Sequence, residues 1–148
     1  MKLVLDASMA LSWLFERTHA KEADCSAKVL SSVVTHDFVV PVLWHTEVAN
    51  ALLVGERSRV VTEAQVVDYL QRLSALPIET DDSTITLRTP TVMALARTYK
   101  LTAYDATYLE LAMRNQAMLA SFDKALITAA QKAGVVVYMH IDKRLHQG

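Results

Sequence analysis

Short apolar runs alternate along the chain with longer stretches whose apolar residues recur at helical spacing. The clearest runs are KLVLD at Lys2–Asp6 and FVV at Phe38–Val40. Parallel strands that are covered by helices on both faces have this continuous apolar character. The runs therefore predict buried strands, and further candidates lie at Ala117–Ala120, around Ile78 and at Val135–Tyr138.

Helices are predicted between these strands. Thr62–Gln65 (TEAQ) has the capping-box pattern that begins a helix. The predicted helices cover Met9–Glu16, Ala20–Val33, Val42 to about Glu56, Thr62 to about Leu76, about Thr91 to Lys100, Ala106–Asn115 and Phe122–Ala133. This alternation predicts an α/β fold, a three-layer sandwich with a short, mainly parallel central sheet flanked by helices. We expect a single domain over residues 1–148, with a loose polar tail from about Asp142.

Composition narrows the class of protein. The 148 residues are 52% hydrophobic, which is enough for one core, and no apolar run approaches the roughly 20 residues of a membrane span. Cys25 is the only cysteine, so an internal disulfide is impossible. We therefore expect a cytoplasmic protein without membrane contact. The net charge of −1 argues against a broad electrostatic binder of nucleic acid, although it leaves room for a local basic rim.

Three aspartates stand at predicted strand ends or helix starts. Asp6 ends the first strand, Asp123 follows the AMLA strand, and Asp105 begins a helix. Taken singly, such acids are most often caps or first-turn residues that interact with free N–H groups. In parallel sheets, however, ligands bind beyond the carboxyl ends of the strands. Asp6 and Asp123 are expected at that edge.

Glu47 lies on a predicted helix that is apolar nearly all round. An unpaired carboxylate on a buried helix costs several kcal/mol. A lysine or arginine, protonation or a bound cation must compensate it. The alternative is a solvated polar stripe formed by Thr46, Glu47 and Asn50.

Taken together, four acids can converge if the strand ends and helix starts that carry them share one edge. Four carboxylates in one pocket cannot all stay ionised without a counter-charge. Mg²⁺ or Mn²⁺ suits a shell of carboxylate and water oxygens. His36 and His45 are scattered, which favours structural roles for both and leaves no zinc-type cluster.

Four segments resemble, in order and spacing, the motifs of the PIN-domain family, and among its members the VapC-type ribonuclease toxins of VapBC toxin–antitoxin systems. They are LVLDAS at Leu3–Ser8, VVPVLWHTEVANAL at Val39–Leu52, LTAYDATYLEL at Leu101–Leu111 and ASFDKAL at Ala120–Leu126. One modest departure is Ser121, where many relatives carry threonine. Both residues offer a hydroxyl, so we expect little effect.

The resemblance implies hydrolysis of phosphodiester bonds in structured RNA by metal-activated water. Asp6, Glu47, Asp105 and Asp123 would hold one or two Mg²⁺ or Mn²⁺ ions and form the catalytic set. Ser8 and Ser121 would orient carboxylates or water, and Asn50 would be a polar support near Glu47. The candidates for contacts with RNA phosphates are Arg57, Arg59, Lys100, Arg114 and Lys124.

The resemblance also implies partners. They are an RNA substrate, a cognate antitoxin that covers the acidic groove, and a second copy of the chain in a homodimer. The apolar segment with Trp13, Leu14 and Phe15 is a candidate surface for the antitoxin. The alternative is a non-catalytic PIN-fold module that binds protein or RNA. A receiver-like phosphoacceptor is disfavoured, because Ala7 and Ser8 stand where it needs paired acids.

Overall fold

A computed structural model describes residues 1–138, in which four parallel strands form the central sheet. The order across the sheet is β3-β2-β1-β4, and every neighbouring pair is parallel. The strands are β1 (Lys2–Leu5), β2 (Asp37–Val40), β3 (Ile78–Thr80) and β4 (Met118–Ala120). Helices flank this sheet, so the predicted three-layer α/β architecture is confirmed.

The helices occupy most of the predicted positions. They are α1 (Ala7–Leu11), α2 (Ala20–Ser31), α3 (Val42–Arg57), α4 (Glu63–Ser74), α5 (Ile85–Tyr99), α6 (Ala103–Asn115) and α7 (Lys124–Lys132), with a 3₁₀ turn at Ser32–Val34. The capping box predicted at Thr62 and Gln65 is present at the start of α4. Within residues 1–138, no helix combines the length and apolar character that crossing a membrane requires.

The strand order decides where the acids meet. β1 lies between β2 and β4, and its Leu3, Val4 and Leu5 have no exposed surface. Leu5 is in register with Ala120 of β4, and the N–H of Asp6 donates to the Ala120 carbonyl at 3.0 Å. The residues that follow β1 and β4 therefore leave the sheet side by side at its carboxyl edge.

Most predicted helix boundaries agree with the structure to within about three residues, and the start of α5 and the end of α1 differ by more. Helix α5 begins at Ile85 rather than Thr91 and runs through the exposed Pro90. A proline there removes one backbone hydrogen bond, and packing of Leu95 and Tyr99 on the core offsets that loss. Helix α1 ends at Leu11 rather than Glu16.

Helix α1 ends early because of hydrogen bonds made by Ser12. The Ser12 hydroxyl bonds to the Met9 carbonyl and to Ser26 of α2, which holds the chain in a turn.

The last predicted strand does not form, because residues 135–138 make only an isolated parallel bridge from Val137 to Leu119. The N–H of Val135 remains tied to the Ala130 carbonyl of α7. The tail predicted from Asp142 lies outside the described residues.

Candidate functional site

Four carboxylates lie at the carboxyl edge of the sheet, and we call this group the acid pocket. It consists of Asp6 directly after β1, Glu47 on α3, Asp105 in the first turn of α6 and Asp123 directly before α7. Asp6 is almost fully buried, and the other three are partly exposed. The position is the one expected for a ligand site of a parallel sheet.

The acids of this pocket act on one another electrostatically. Burial and then the charges of the other three acids raise the pKa of Asp105 to about 6. Burial, followed by the charges of Asp6 and Asp123, also raises the pKa of Glu47. The pKa of Asp6 is raised chiefly by burial, with a contribution from Asp123. The structure therefore brings the four predicted acids together.

Two serines orient the Asp6 carboxylate. Ser121 Oγ donates to Asp6 Oδ2 at 2.6 Å, and Ser8 Oγ donates to the same oxygen at 2.7 Å. Each hydroxyl also accepts a backbone N–H, Ser8 from Phe122 and Ser121 from Asp123, both at 3.0 Å. The serines thus connect Asp6 to the segment between β4 and α7.

Asp123 and Asp105 also have the helix-start positions that acids commonly occupy. Asp123 is the N-cap of α7, and its Oδ1 accepts the N–H of Leu126 at 2.9 Å. Asp105 lies in the first turn of α6, where its own N–H donates to Thr102 Oγ1 at 3.1 Å. The capping explanation is therefore correct for Asp123, and it accounts for only one of its two carboxylate oxygens.

Glu47 is held by a tyrosine that the sequence analysis missed. The Tyr108 hydroxyl donates to Glu47 Oε1 at 2.6 Å. Burial, and then the hydrogen bond to Glu47, raise the pKa of Tyr108, so the phenol remains a donor. Among residues 1–138, no acid of the pocket forms an ion pair, and a salt bridge does not explain Glu47. The only signal in the sequence was Tyr108 three residues after Asp105, which is one helical turn.

The chemistry of the donor set suits a hydrated divalent cation. All donors are carboxylate or hydroxyl oxygens, which Mg²⁺ and Mn²⁺ prefer. In the described part of the chain, no three His, Cys, Asp or Glu side chains are arranged so that they could hold a metal ion. Mg²⁺ keeps several of its waters and needs only one or two direct carboxylates. His36 bonds to Thr35 and His45 to Thr80, as expected of structural residues.

The remaining predicted residues are distributed unevenly. Asn50 is exposed, and within residues 1–138 it forms no hydrogen bond with Glu47. Four candidate RNA contacts have exposed side chains, namely Arg57, Arg59, Lys100 and Lys124. Lys124 directly follows Asp123, so it is the candidate nearest to the pocket along the chain.

The structure contradicts the predicted contact between Arg114 and RNA. Its guanidinium forms two hydrogen bonds with Asp81, at 2.7 and 3.2 Å, and two with Glu110, at 2.8 and 3.1 Å. Arg88 lies 3.8 Å from the same Glu110. We call these four residues the charge-paired cluster. Arg114 is only 22% exposed, and four of its five N–H donors bond to carboxylates of the chain, which disfavours a contact with RNA phosphate.

A different arginine stands beside the pocket. The Arg17 guanidinium lies 4.4 Å from the ring centroid of Phe122, the residue between Ser121 and Asp123, and pairs with Glu22 at 2.7 Å. Cation–π contact of this kind stabilises an exposed arginine by about 0.5–1 kcal/mol. Arg17 was not predicted, because nothing in its local sequence indicates the distant aromatic ring.

The apolar segment after α1 is less available than predicted. Trp13 and Phe15 are partly buried and pack on the core. Trp13 Nε1 donates to the Ser26 carbonyl at 3.1 Å. A Cβ at Gly55 would stand 2.8 Å from Phe15 Cζ, so Phe15 packs directly on that glycine. These contacts inside the chain already use much of the surface that was assigned to a partner.

Comparison with known proteins supports the same fold. A family model described as PIN domain matches residues 3–132. PAE2754 from Pyrobaculum aerophilum superposes with a TM-score of 0.68 at 21% identity, covering 100% of this chain and 91% of that chain. FitAcB from Neisseria gonorrhoeae gives 0.58 at 17% identity, covering 91% and 95% respectively. No curated protein matches the chain. At these identities the two structures show the fold alone.

Proposed function

The chain belongs to the PIN domain family, and on that premise we propose that it is a metal-dependent ribonuclease of the VapC type. PIN domains are generally metal-dependent nucleases. The observation that carries the proposal is the acid pocket, where four interacting carboxylates have no cationic partner within residues 1–138. Mutual repulsion among these carboxylates raises the free energy of the folded chain unless a cation binds among them.

The side chains around the pocket have distinct parts in this proposal. Ser8 and Ser121 hold Asp6 in one orientation, and Tyr108 holds one oxygen of Glu47. Mg²⁺ or Mn²⁺, one ion or two, would supply a water of lowered pKa and offset charge on the phosphate. The exposed Lys124 would attract the RNA backbone, together with Arg57, Arg59 and Lys100 farther out.

Cleavage of a structured RNA by Asp6→Asn tests the proposal. Because the variant removes a pocket carboxylate, we expect cleavage to fall at least about a hundredfold with folding intact. Asp37→Asn is the matched control, since Asp37 is an exposed aspartate at the opposite end of the neighbouring strand β2. Wild-type cleavage by Asp6→Asn, or cleavage that persists in excess EDTA, would overturn the assignment.

A second candidate is a non-catalytic module that binds protein or RNA. The lack of a preformed metal group within residues 1–138 favours it, and the complete set of four acids disfavours it. Calorimetric titration with Mn²⁺ separates the two. The ribonuclease requires binding that disappears in Asp6→Asn and Asp123→Asn, and the module predicts none in any variant.

The partners are part of the same proposal. A cognate antitoxin would cover the acid pocket, and a basic segment suits a pocket of uncompensated carboxylates. A homodimer would cover a cavity of about 310 Å³ between α3, α5 and α6, lined in part by the exposed Val42, Ile85, Met93 and Tyr104. Sedimentation velocity of the purified chain measures the homodimer. A cytoplasmic location stays a prediction.

A further inference from the structure

Tyr108 is the largest side chain of the fully buried core, yet its hydroxyl reaches the acid pocket. The residue has no exposed surface. It lies on α6 one turn after Asp105, so the same face of the helix carries both residues toward the pocket. Its hydrogen bond to Glu47 joins α6 to α3 across 61 residues of sequence. The ring belongs to the core, and the hydroxyl belongs to the site.

The bond constrains Glu47 in a particular way. A phenol has a single proton to donate, and Tyr108 gives it to Oε1. Among residues 1–138, no other hydrogen bond or ion pair to the Glu47 carboxylate is found. Glutamate has three rotatable bonds, and an unrestrained carboxylate samples many orientations. One oxygen is therefore anchored, and Oε2 has no protein partner in the described part of the chain.

Packing alone does not require this hydroxyl. Phenylalanine has the same ring, so a core position without a polar acceptor has no need for tyrosine. A buried hydroxyl does need a partner, and the chain offers a comparison in Tyr69. That residue is also buried, and its hydroxyl donates to the Ala10 backbone carbonyl at 2.6 Å. The two phenols are alike in burial and bond length and differ in what they hold.

We propose that the Tyr108 hydroxyl is a positioning group that anchors Glu47 Oε1 and thereby keeps Oε2 available to a divalent cation. The inference rests on the proposed function, because it assigns Glu47 to the metal. It adds a residue outside the acidic set. Groups that orient metal ligands typically change metal affinity by 10–100-fold when they are removed.

The experiment compares Mn²⁺ affinity by calorimetry in wild type, Tyr108→Phe and Tyr69→Phe. Each variant removes one buried phenolic oxygen and retains the ring. We expect Tyr108→Phe to weaken Mn²⁺ binding about tenfold and Tyr69→Phe to change it less than twofold. Equal affinities in the two variants would overturn the inference.

A double-mutant cycle tests whether Tyr108 acts through Glu47. Glu47→Gln should weaken Mn²⁺ binding by itself, and adding Tyr108→Phe in that background should change the affinity less than twofold. A full tenfold further loss would mean that the two residues act independently, which contradicts a positioning role.

A second measurement uses the wild-type chain and so does not depend on the variants folding. With ¹³C-labelled tyrosine rings, Mg²⁺ titration should shift the Tyr108 Cζ resonance, because the carboxylate that accepts its hydrogen bond would bind the metal through Oε2. The Tyr69 Cζ resonance should stay in place. An unmoved Tyr108 resonance at saturating Mg²⁺ rejects the positioning role and leaves the ribonuclease proposal standing. Absence of any Mn²⁺ binding in wild type rejects both.

Discussion

The acid pocket and the charge-paired cluster are both built on α6, and they treat buried carboxylates in opposite ways. Asp6 of the pocket is 6% exposed and Glu110 of the cluster 5%, so burial does not separate the two regions. Glu110 bonds to Arg114, whereas Asp6 receives only uncharged donors among the described residues. The difference is that arginines of the chain supply the counter-charge in the cluster, whereas no residue among 1–138 supplies it in the pocket.

The pKa shifts show the consequence. Burial alone would raise the pKa of Asp81, but hydrogen bonds from Arg114 and Ser83 outweigh it, and that pKa is lowered. In the pocket the pKa values of Asp6, Glu47 and Asp105 are all raised. Among residues 1–138, the carboxylates of the cluster pair with arginines, and the carboxylates of the pocket have no cationic partner. Groups of this second kind concentrate at functional sites.

Removing Arg114, the cation of the cluster that bonds to both acids, should have the largest effect on stability. Arg114→Met leaves the buried Glu110 with only the more distant Arg88, so we expect the free energy of unfolding to fall by about 3 kcal/mol. Urea denaturation measures it. Arg72→Met is the matched control, because the Arg72–Asp68 pair is 81% and 62% exposed and such pairs contribute at most about 1 kcal/mol. Similar losses of unfolding free energy in the two variants would mean that the buried Glu110 depends on its arginine no more than an exposed carboxylate does.

A pair of serine substitutions sharpens the comparison with a smaller effect. Ser121 donates to Asp6 in the pocket, and Ser83 donates to Asp81 in the cluster at 2.8 Å. If the pocket binds metal as proposed, Ser121→Ala should weaken Mn²⁺ binding about tenfold, because the Asp6 carboxylate loses one of the two hydroxyls that orient it. Ser83→Ala should leave Mn²⁺ affinity unchanged and lower the free energy of unfolding by about 1 kcal/mol. Unchanged Mn²⁺ affinity in Ser121→Ala would remove the serine from the site.

The smallest effect concerns pH in the absence of metal. When the pKa of a carboxyl is higher in the folded than in the unfolded chain, the folded state binds its proton first as pH falls, and stability rises. With the pKa of Asp105 near 6, we expect the melting temperature in EDTA to rise modestly between pH 7 and 5. The pKa of Asp81 is lowered, so its contribution to stability changes with pH in the opposite direction and is lost only at lower pH.

Asp105→Asn is the control for this pH effect. Without the carboxyl that titrates near pH 6, the variant should show a smaller rise over the same interval. A wild-type melting temperature that falls from pH 7 to 5, or an undiminished rise in Asp105→Asn, would be inconsistent with uncompensated charge in the pocket.

Much of the fold follows from local pattern, and the helix start that was most misjudged depends on packing against the core. The strands at Lys2–Leu5 and Asp37–Val40 are short apolar runs, and the start of α4 is a local capping box. The beginning of α5 was misjudged because Pro90 is locally a helix breaker, whereas packing on the core decides the matter.

The same division holds for the site. The acids at strand ends were predictable, because parallel strands direct their carboxyl ends to one edge. Tyr108 was not, since its partner is 61 residues away. Arg114 was a candidate for RNA contact because it follows the acid-bearing segment around Asp105 in sequence, and only the fold brings Asp81 to it.

The hydrogen bond between Ser121 and Asp6 spans 115 residues and joins the first strand to the fourth. A ribosome therefore releases Asp6 and Glu47 long before it has made the segment that completes their surroundings. Until β4 has been added beside β1, the nascent chain carries three of the four acids, Asp6, Glu47 and finally Asp105, without a complete pocket. Any activity of this pocket consequently begins only after the segment with Ser121 and Asp123 has left the ribosome, so the earlier part of the chain is inert while it is being made.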